Sequence, residues 1–284
     1  MSTDPATTPR SDVAGQPPGL PAGWIVPAMG PGVGALMTAR SGGHSAAPYA
    51  GCNLGDHVGD TPDAVALNRA EVAALLGARP VWLRQVHGHT VVRLTAGSGL
   101  GGEPIEADGA LTTEPGVACT VMVADCLPVL LAAPEGRGVA ALHAGWRGLA
   151  GAGELGGRGI VEAGVAALCE ATGCAPADLR AWLGPCIGPS AFEVGADVLA
   201  GFGVNPAESH PRFVPRAGSG EAAPRWLADL AGLAQDRLAG LGVRAAHTAG
   251  GAWCTVSEPS RFFSFRRDGR TGRQAACIWL DSCR

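Results

Sequence analysis

The sequence predicts an α+β domain in which mixed sheets are layered with helices. Three observations lead there. Short uninterrupted apolar runs of strand length recur along the chain, at 117–123, 129–132, 138–142 and 275–280. Two or three amphipathic stretches have helical length. Several of the strand-like runs follow one another with no helix between them, which frees the sheets from being all parallel.

The elements follow in chain order. Residues 1–22 read as a disordered tail, kept extended by Pro17, Pro18 and Pro21. Residues 23–284 then run without a linker or a fixed-period repeat, so a single catalytic domain is expected there. A helix is expected over 61–77, with Pro62 in its first turn and Gly77 at its stop. Strands are expected over 81–86 and 91–94, then over the apolar runs 117–123, 129–132 and 138–142. An uninterrupted apolar run fits a strand covered on both faces. A helix over 158–170, a strand over 179–183, a helix over 226–241 and a strand over 275–280 complete the expectation.

Bulk composition excludes several classes. The formal net charge is −4 over 284 residues, so a basic footprint for nucleic acid is absent. No uncharged apolar stretch reaches about 18 residues, so no membrane-spanning helix is expected. The polar start of the chain lacks the apolar run of a signal peptide, and a cytoplasmic protein is expected. Nine cysteines in a chain of this kind read as reduced thiols rather than a disulfide framework, with Cys119 and Cys277 inside apolar strands.

The residues with chemistry stand where apolar runs give way to loops. His87 follows 81–86, Cys126 lies in Ala124-Asp125-Cys126-Leu127-Pro128, and His143 opens His143-Ala144-Gly145-Trp146-Arg147-Gly148. Two imidazoles and a thiolate form a tripod suited to zinc, with a fourth position left for water or substrate, as in catalytic sites. Pattern alone leaves buried polar residues as an alternative for each, since seven histidines and nine cysteines offer many triples. His44 and His57 lie in Gly-rich loops, His89 follows His87 by two residues, and His210 and His247 stand alone.

The flanking segments carry a resemblance. Gln85-Val86-His87-Gly88, Ala107-Asp108-Gly109-Ala110-Leu111-Thr112, Ala124-Asp125-Cys126-Leu127-Pro128-Val129-Leu130 and His143-Ala144-Gly145-Trp146-Arg147-Gly148 occur in this order. Upstream stand Thr38-Ala39-Arg40-Ser41-Gly42-Gly43-His44-Ser45 and Asn53-Leu54-Gly55-Asp56-His57. Downstream stand Gly184-Pro185-Cys186-Ile187-Gly188, Phe263-Ser264-Phe265-Arg266-Arg267-Asp268-Gly269 and Thr271-Gly272-Arg273-Gln274. Together they resemble the YfiH-like family, also called the multicopper polyphenol oxidase or laccase-like family and understood as purine nucleoside phosphorylases. The likeness spans about residues 24–281.

The resemblance implies a YfiH/CNF-like single domain and one zinc per chain on His87, Cys126 and His143. It implies phosphorolysis of adenosine, inosine, guanosine and methylthioadenosine, together with adenosine deamination. The partners are then a purine nucleoside and phosphate, with neither nucleic acid nor membrane, in a monomer or weak homo-oligomer. Arg40 in its Gly-rich loop is the expected phosphate ligand, with the Arg266 and Arg267 turn second. Arg147 stacks or pairs structurally. Asn53 and Arg266 are the expected substrate contacts, and Asp125 is a candidate proton carrier beside Cys126. Cys186 replaces the small or aliphatic residue usual after Gly-Pro and is read as a spectator. The rivals are a cysteine hydrolase using Cys126 and His143, of the peptidoglycan-precursor editing type, a copper-dependent polyphenol oxidase, and a non-catalytic zinc module.

Overall fold

The computed structural model describes residues 19–216 and 223–282. The expected tail lies outside the described residues as far as residue 18.

Three layers build the molecule. The first is a four-stranded sheet in the order β1 (Val33–Met37), β13 (Gln274–Leu280), β5 (Val117–Val123) and β2 (Arg79–Val81). The second is a six-stranded sheet in the order β12 (Thr248–Gly250), β8 (Arg180–Leu183), β6 (Leu127–Ala132), β7 (Val139–Ala144), β4 (Gly109–Thr112) and β3 (Val91–Arg93). The third holds α3 (Ile160–Thr172) and α5 (Leu230–Gly240). A small sheet, β10 (Phe213–Arg216), β11 (Arg225–Ala228) and β9 (Glu193–Val194), completes the strands. The other helices are α1 (Pro62–Leu75), α2 (Trp146–Ala150), α4 (Ala196–Gly201) and α6 (Phe265–Asp268).

The middle sheet explains the uninterrupted apolar runs. Along β6 and β7, Leu130, Ala132, Val139 and Ala141 pack toward the four-stranded sheet. Val129, Leu131, Ala140 and Leu142 pack toward the helices. Alternate residues serve opposite faces, so a strand covered on both sides is apolar throughout. Both sheets mix parallel and antiparallel pairs, with β2 parallel to β5 and β13 antiparallel to it. The expected α+β class of mixed sheets with layered helices is the observed one.

Two elements differ from expectation. The strand over 81–86 ends at Val81, paired with Cys119. Beyond it the Gln85 side chain takes the place of the ladder: Met122 N–H donates to its Oε1 at 2.7 Å, and its Nε2 donates to Met122 O at 2.9 Å. The Arg84 backbone turns away to bond with Ile105 and Ala107. The helix over 226–241 begins only at Leu230, because Arg225–Ala228 pairs as β11 and Asp229 caps the helix by accepting from Gly232 N–H. The helix over 61–77 is α1, and that over 158–170 is α3, opened by Gly159 with Glu162 accepting from its N–H. No helix of the described residues is long and apolar enough to cross a membrane, and their eight cysteines are free thiols.

Candidate metal centre

The chain crosses from the first sheet to the second at Ala124, Asp125 and Cys126, between the end of β5 and the start of β6. Asp125 has φ 92°, a left-handed turn that folds the crossover tightly. Its carboxylate holds the turn: Oδ1 accepts from the Thr255 hydroxyl and Oδ2 from Arg266 N–H, both at 2.6 Å. His143 lies within β7, opposite Pro128 of β6, and so on the same sheet face as Val139 and Ala141. That face looks toward the first sheet, where Cys126 also packs. His87 comes from the loop that leaves the sheet after β2, and its backbone is left-handed at φ 62°.

These elements converge. One side-chain atom from each of His87, Cys126 and His143 lies within 4.8 Å of the other two. Cys126 Sγ is 3.6 Å from His87 Nε2, and the two imidazoles meet edge to face at 4.8 Å between ring centres. His143 is buried, Cys126 half-buried and His87 exposed, so the cluster opens to solvent on one side. Gly145 makes the approach possible, because a Cβ there would sit 2.6 Å from His87 Cδ2 and 3.2 Å from Cys126 Sγ. Gly145→Ala is therefore expected to weaken metal affinity on the order of ten- to hundredfold with the fold kept, as read by competition with a chromogenic chelator.

Asp108 organises the cluster, and no role for it was apparent in the sequence. It is fully buried just before β4. Its Oδ1 accepts from His143 Nδ1 at 2.8 Å and His87 N–H at 2.9 Å. Its Oδ2 accepts from Val86 N–H at 3.1 Å and Gly88 N–H at 2.7 Å. Three successive backbone N–H groups thus cradle one carboxylate, which fixes the His87 loop and the ring of His143 together. With Nδ1 bonded to Asp108, Nε2 of His143 is the nitrogen left for a metal, the usual carboxylate–histidine–metal arrangement. Burial alone would raise the Asp108 carboxyl, but the bonds from His143, Gly88 and Val86 outweigh it and hold it below its usual range.

Electrostatics prepare the thiolate. Burial pushes the Cys126 thiol up, yet the charge and hydrogen bonds of His143 and His87 bring it down to about 6. Burial lowers His143, while Cys126 and Asp108 raise it to about 9. Between these values Cys126 is a thiolate and His143 an imidazolium, so metal binding must displace the His143 proton. At about pH 7.5, titration calorimetry in buffers of different ionisation heat is expected to show about one proton released from His143 per metal bound. The apparent affinity rises with pH through this window and levels off above the His143 value.

The donor set fits zinc: one anionic sulfur and two imidazoles converge, one imidazole oriented by a carboxylate. Among the described residues this is the one cluster of three such ligands.

The cluster stands in the wall of a cavity of about 730 Å³. Trp82, Trp146, Phe192 and Phe265 supply aromatic surface there, and Arg69, Arg84, Arg147, Arg266 and Arg273 supply positive charge. Arg266 lines it, its Nη1 donating to Glu193 O at 2.9 Å. Arg40 is not in this lining: its Nη1 donates to Pro259 O at 2.8 Å and its guanidinium lies over the Phe263 ring. Asn53 is fully buried, and its amide bonds with Gly55, Asp60 and Arg273 rather than reaching the cavity. Cys186 is buried, with its thiol pushed up by burial, outside the ligand cluster. Arg267 is tied to Asp268, Thr255 O and Phe262 O. Arg147 lies over Trp146 at the exposed side.

Residues 34–281 match the family model for multi-copper polyphenol oxidoreductase laccase. The chain belongs to this family. Relatives of the laccase-like family include a protein of Pseudomonas aeruginosa named purine nucleoside phosphorylase, 46% identical over 257 residues, covering 90% of this chain and 96% of the relative. Another is the purine nucleoside phosphorylase YfiH of Escherichia coli, 43% identical over 254 residues, 88% of this chain and 94% of that one. Solved structures agree in fold. A Neisseria meningitidis protein superposes with a TM-score of 0.79 at 42% identity, covering 92% of this chain and all of the other. YlmD of Geobacillus stearothermophilus gives 0.80 at 32% identity, covering 95% of this chain and all of the other.

Proposed function

We propose that this chain is a zinc-dependent purine nucleoside phosphorylase that also deaminates adenosine. The observation that carries the reading is the near full-length similarity to proteins named purine nucleoside phosphorylase, in a chain whose His87, Cys126 and His143 converge beside an arginine-lined cavity. The cavity volume falls within the ~300–1,000 Å³ of small-molecule sites. Its aromatic walls offer stacking faces to a purine, and its arginines offer donors to phosphate. Adenosine, inosine, guanosine and methylthioadenosine share the purine and the C1′–N9 bond.

Zinc on His87, Cys126 and His143 would supply Lewis-acid activation of a water for attack on the purine carbon that carries the amine. The chain's own residues do the rest. Asp108 holds the His143 proton on Nδ1 and fixes the His87 loop. Asp125 acts by positioning: both its oxygens are engaged, and it sets the turn that presents Cys126. The aromatic walls would cover a bound nucleoside and displace water from it. A single catalytic domain over 23–284 is part of this reading.

A cysteine hydrolase remains the second reading, because Cys126, His143 and Asp108 also stand as a thiol, its base and an orienting carboxylate. Copper in several equivalents does not fit a single three-ligand cluster among the described residues.

Adenosine incubated with the zinc-loaded protein separates the possibilities. Free adenine is expected only with phosphate present, and inosine with or without it. Absence of both products would remove the purine reading. Activity in metal-free protein, abolished by alkylating Cys126, would favour the hydrolase.

A further inference from the structure

The cavity holds a half-buried arginine that no carboxylate pairs with among the described residues. Arg69 pairs with Asp56 at 3.2 Å and donates Nε to Leu54 O. Arg84 pairs with Glu106 at 2.7 Å. Arg147 and Arg266 are exposed. Arg273 differs from all of these: it is half-buried, and among the described residues no carboxylate pairs with it.

Its hydrogen bonding is one-sided. Nη1 donates to Thr271 O at 3.2 Å and Gly272 O at 3.1 Å. A guanidinium carries five N–H donors, so the Nε and Nη2 edge has no protein acceptor among the described residues. That edge presents parallel N–H groups spaced for two oxygens of a tetrahedral oxyanion. The backbone of Arg273 is fixed on both sides: its N–H donates to Asn53 Oδ1 at 2.8 Å, and its carbonyl accepts from Leu54 N–H at 3.0 Å. Gly55 leaves room for its stem, since a Cβ there would lie 2.8 Å from Arg273 Cγ. Arg273 also lies close enough to Cys126 and Asp125 to feel their charge, which sets it beside the metal ligands.

We propose that Arg273 is the arginine that binds the attacking phosphate, with buried Asn53 as its positioning residue. The assignment rests on the nucleoside phosphorolysis reading. In that reaction the C1′–N9 bond breaks with its electron pair going to the purine. A phosphate oxygen forms the new bond to C1′, and the proton of hydrogen phosphate ends on the purine nitrogen. The Nε and Nη2 donors hold two of the other three phosphate oxygens during the attack.

The test uses zinc-loaded protein with inorganic phosphate, in wild type, Arg273→Gln and Arg273→Lys. The Gln variant is expected to raise the KM for phosphate about 10- to 100-fold, the loss of a charged hydrogen-bonded contact. Zinc content and the KM for nucleoside stay at wild-type values. The Lys variant falls between, because it keeps the charge and loses the fork. A wild-type KM for phosphate in a zinc-containing Gln variant overturns the proposal. If the Gln variant does not fold, an unchanged phosphate KM in the Lys variant overturns it. Calorimetric binding of inorganic phosphate provides a readout that does not need turnover. Should the wild type show no phosphorolysis, phosphate binding lost in the Gln variant upholds the subsite while the phosphorylase reading fails. Equal binding in both proteins defeats the subsite. Adenosine 5′-monophosphate is titrated in parallel: dependence on Arg273 for the nucleotide but not for inorganic phosphate would also overturn the assignment.

Discussion

Replacing Asp108 with Ala is expected to lower stability by about 3–5 kcal/mol, the cost of stranding one member of a buried charged pair. The carboxylate takes four hydrogen bonds, three from the backbone at Val86, His87 and Gly88 and one from His143 Nδ1. Alanine leaves all four donors without a partner in a buried space. For a chain of this size a loss of this magnitude lowers Tm by roughly 10 °C. The same change frees the ring of His143 and the loop carrying His87, so metal affinity should also fall by about 10- to 100-fold or more. Asp108→Asn is only a partial repair, since its amide presents one oxygen and a donor where the site offers four donors. Thermal melting and a zinc competition titration read the two effects separately. An alanine variant that melts and binds zinc like wild type would show that Asp108 does not organise the centre.

The second large effect is catalytic. Cys126→Ala is expected to cut kcat/KM for adenosine deamination by at least about a thousandfold, the several kcal/mol that a Lewis-acid metal supplies. Cys126 is half-buried in a crossover held by Asp125, Thr255 and Arg266 through other atoms, so the variant keeps its fold. Stability and activity therefore separate at Cys126, whereas at Asp108 they fall together. Wild-type rates in the Cys126 variant would refute the site.

How far the molecule was legible in its sequence follows from the range of the interactions involved. The apolar runs that became β5, β6, β7 and β13 were readable because a strand buried on both faces is apolar along most of its length. α1 was readable because Pro62 marks its start locally. The truncation of β2 was not, since it depends on Gln85 meeting Met122, 37 residues away. β11 was hidden inside a run of helical character, and Asp229 was the local signal that the helix starts later. The three candidate ligands were visible as residue types at the ends of apolar runs. Asp108 was not, because its partners lie 20 to 35 residues away in sequence. A buried Asp immediately before an apolar strand was the available hint. Arg40 and Asn53 show the converse: motif position singled them out, while the fold gives Arg40 to Pro259 and Phe263 and uses Asn53 to fix Arg273.

In the proposed function, His87, Cys126 and His143 form one zinc site on which activity depends. Elemental analysis of purified wild type beside Cys126→Ala tests it most directly. Close to one zinc per chain is expected in the wild type, and none in the variant. Copper in several equivalents per chain, or equal zinc in both proteins, would contradict it.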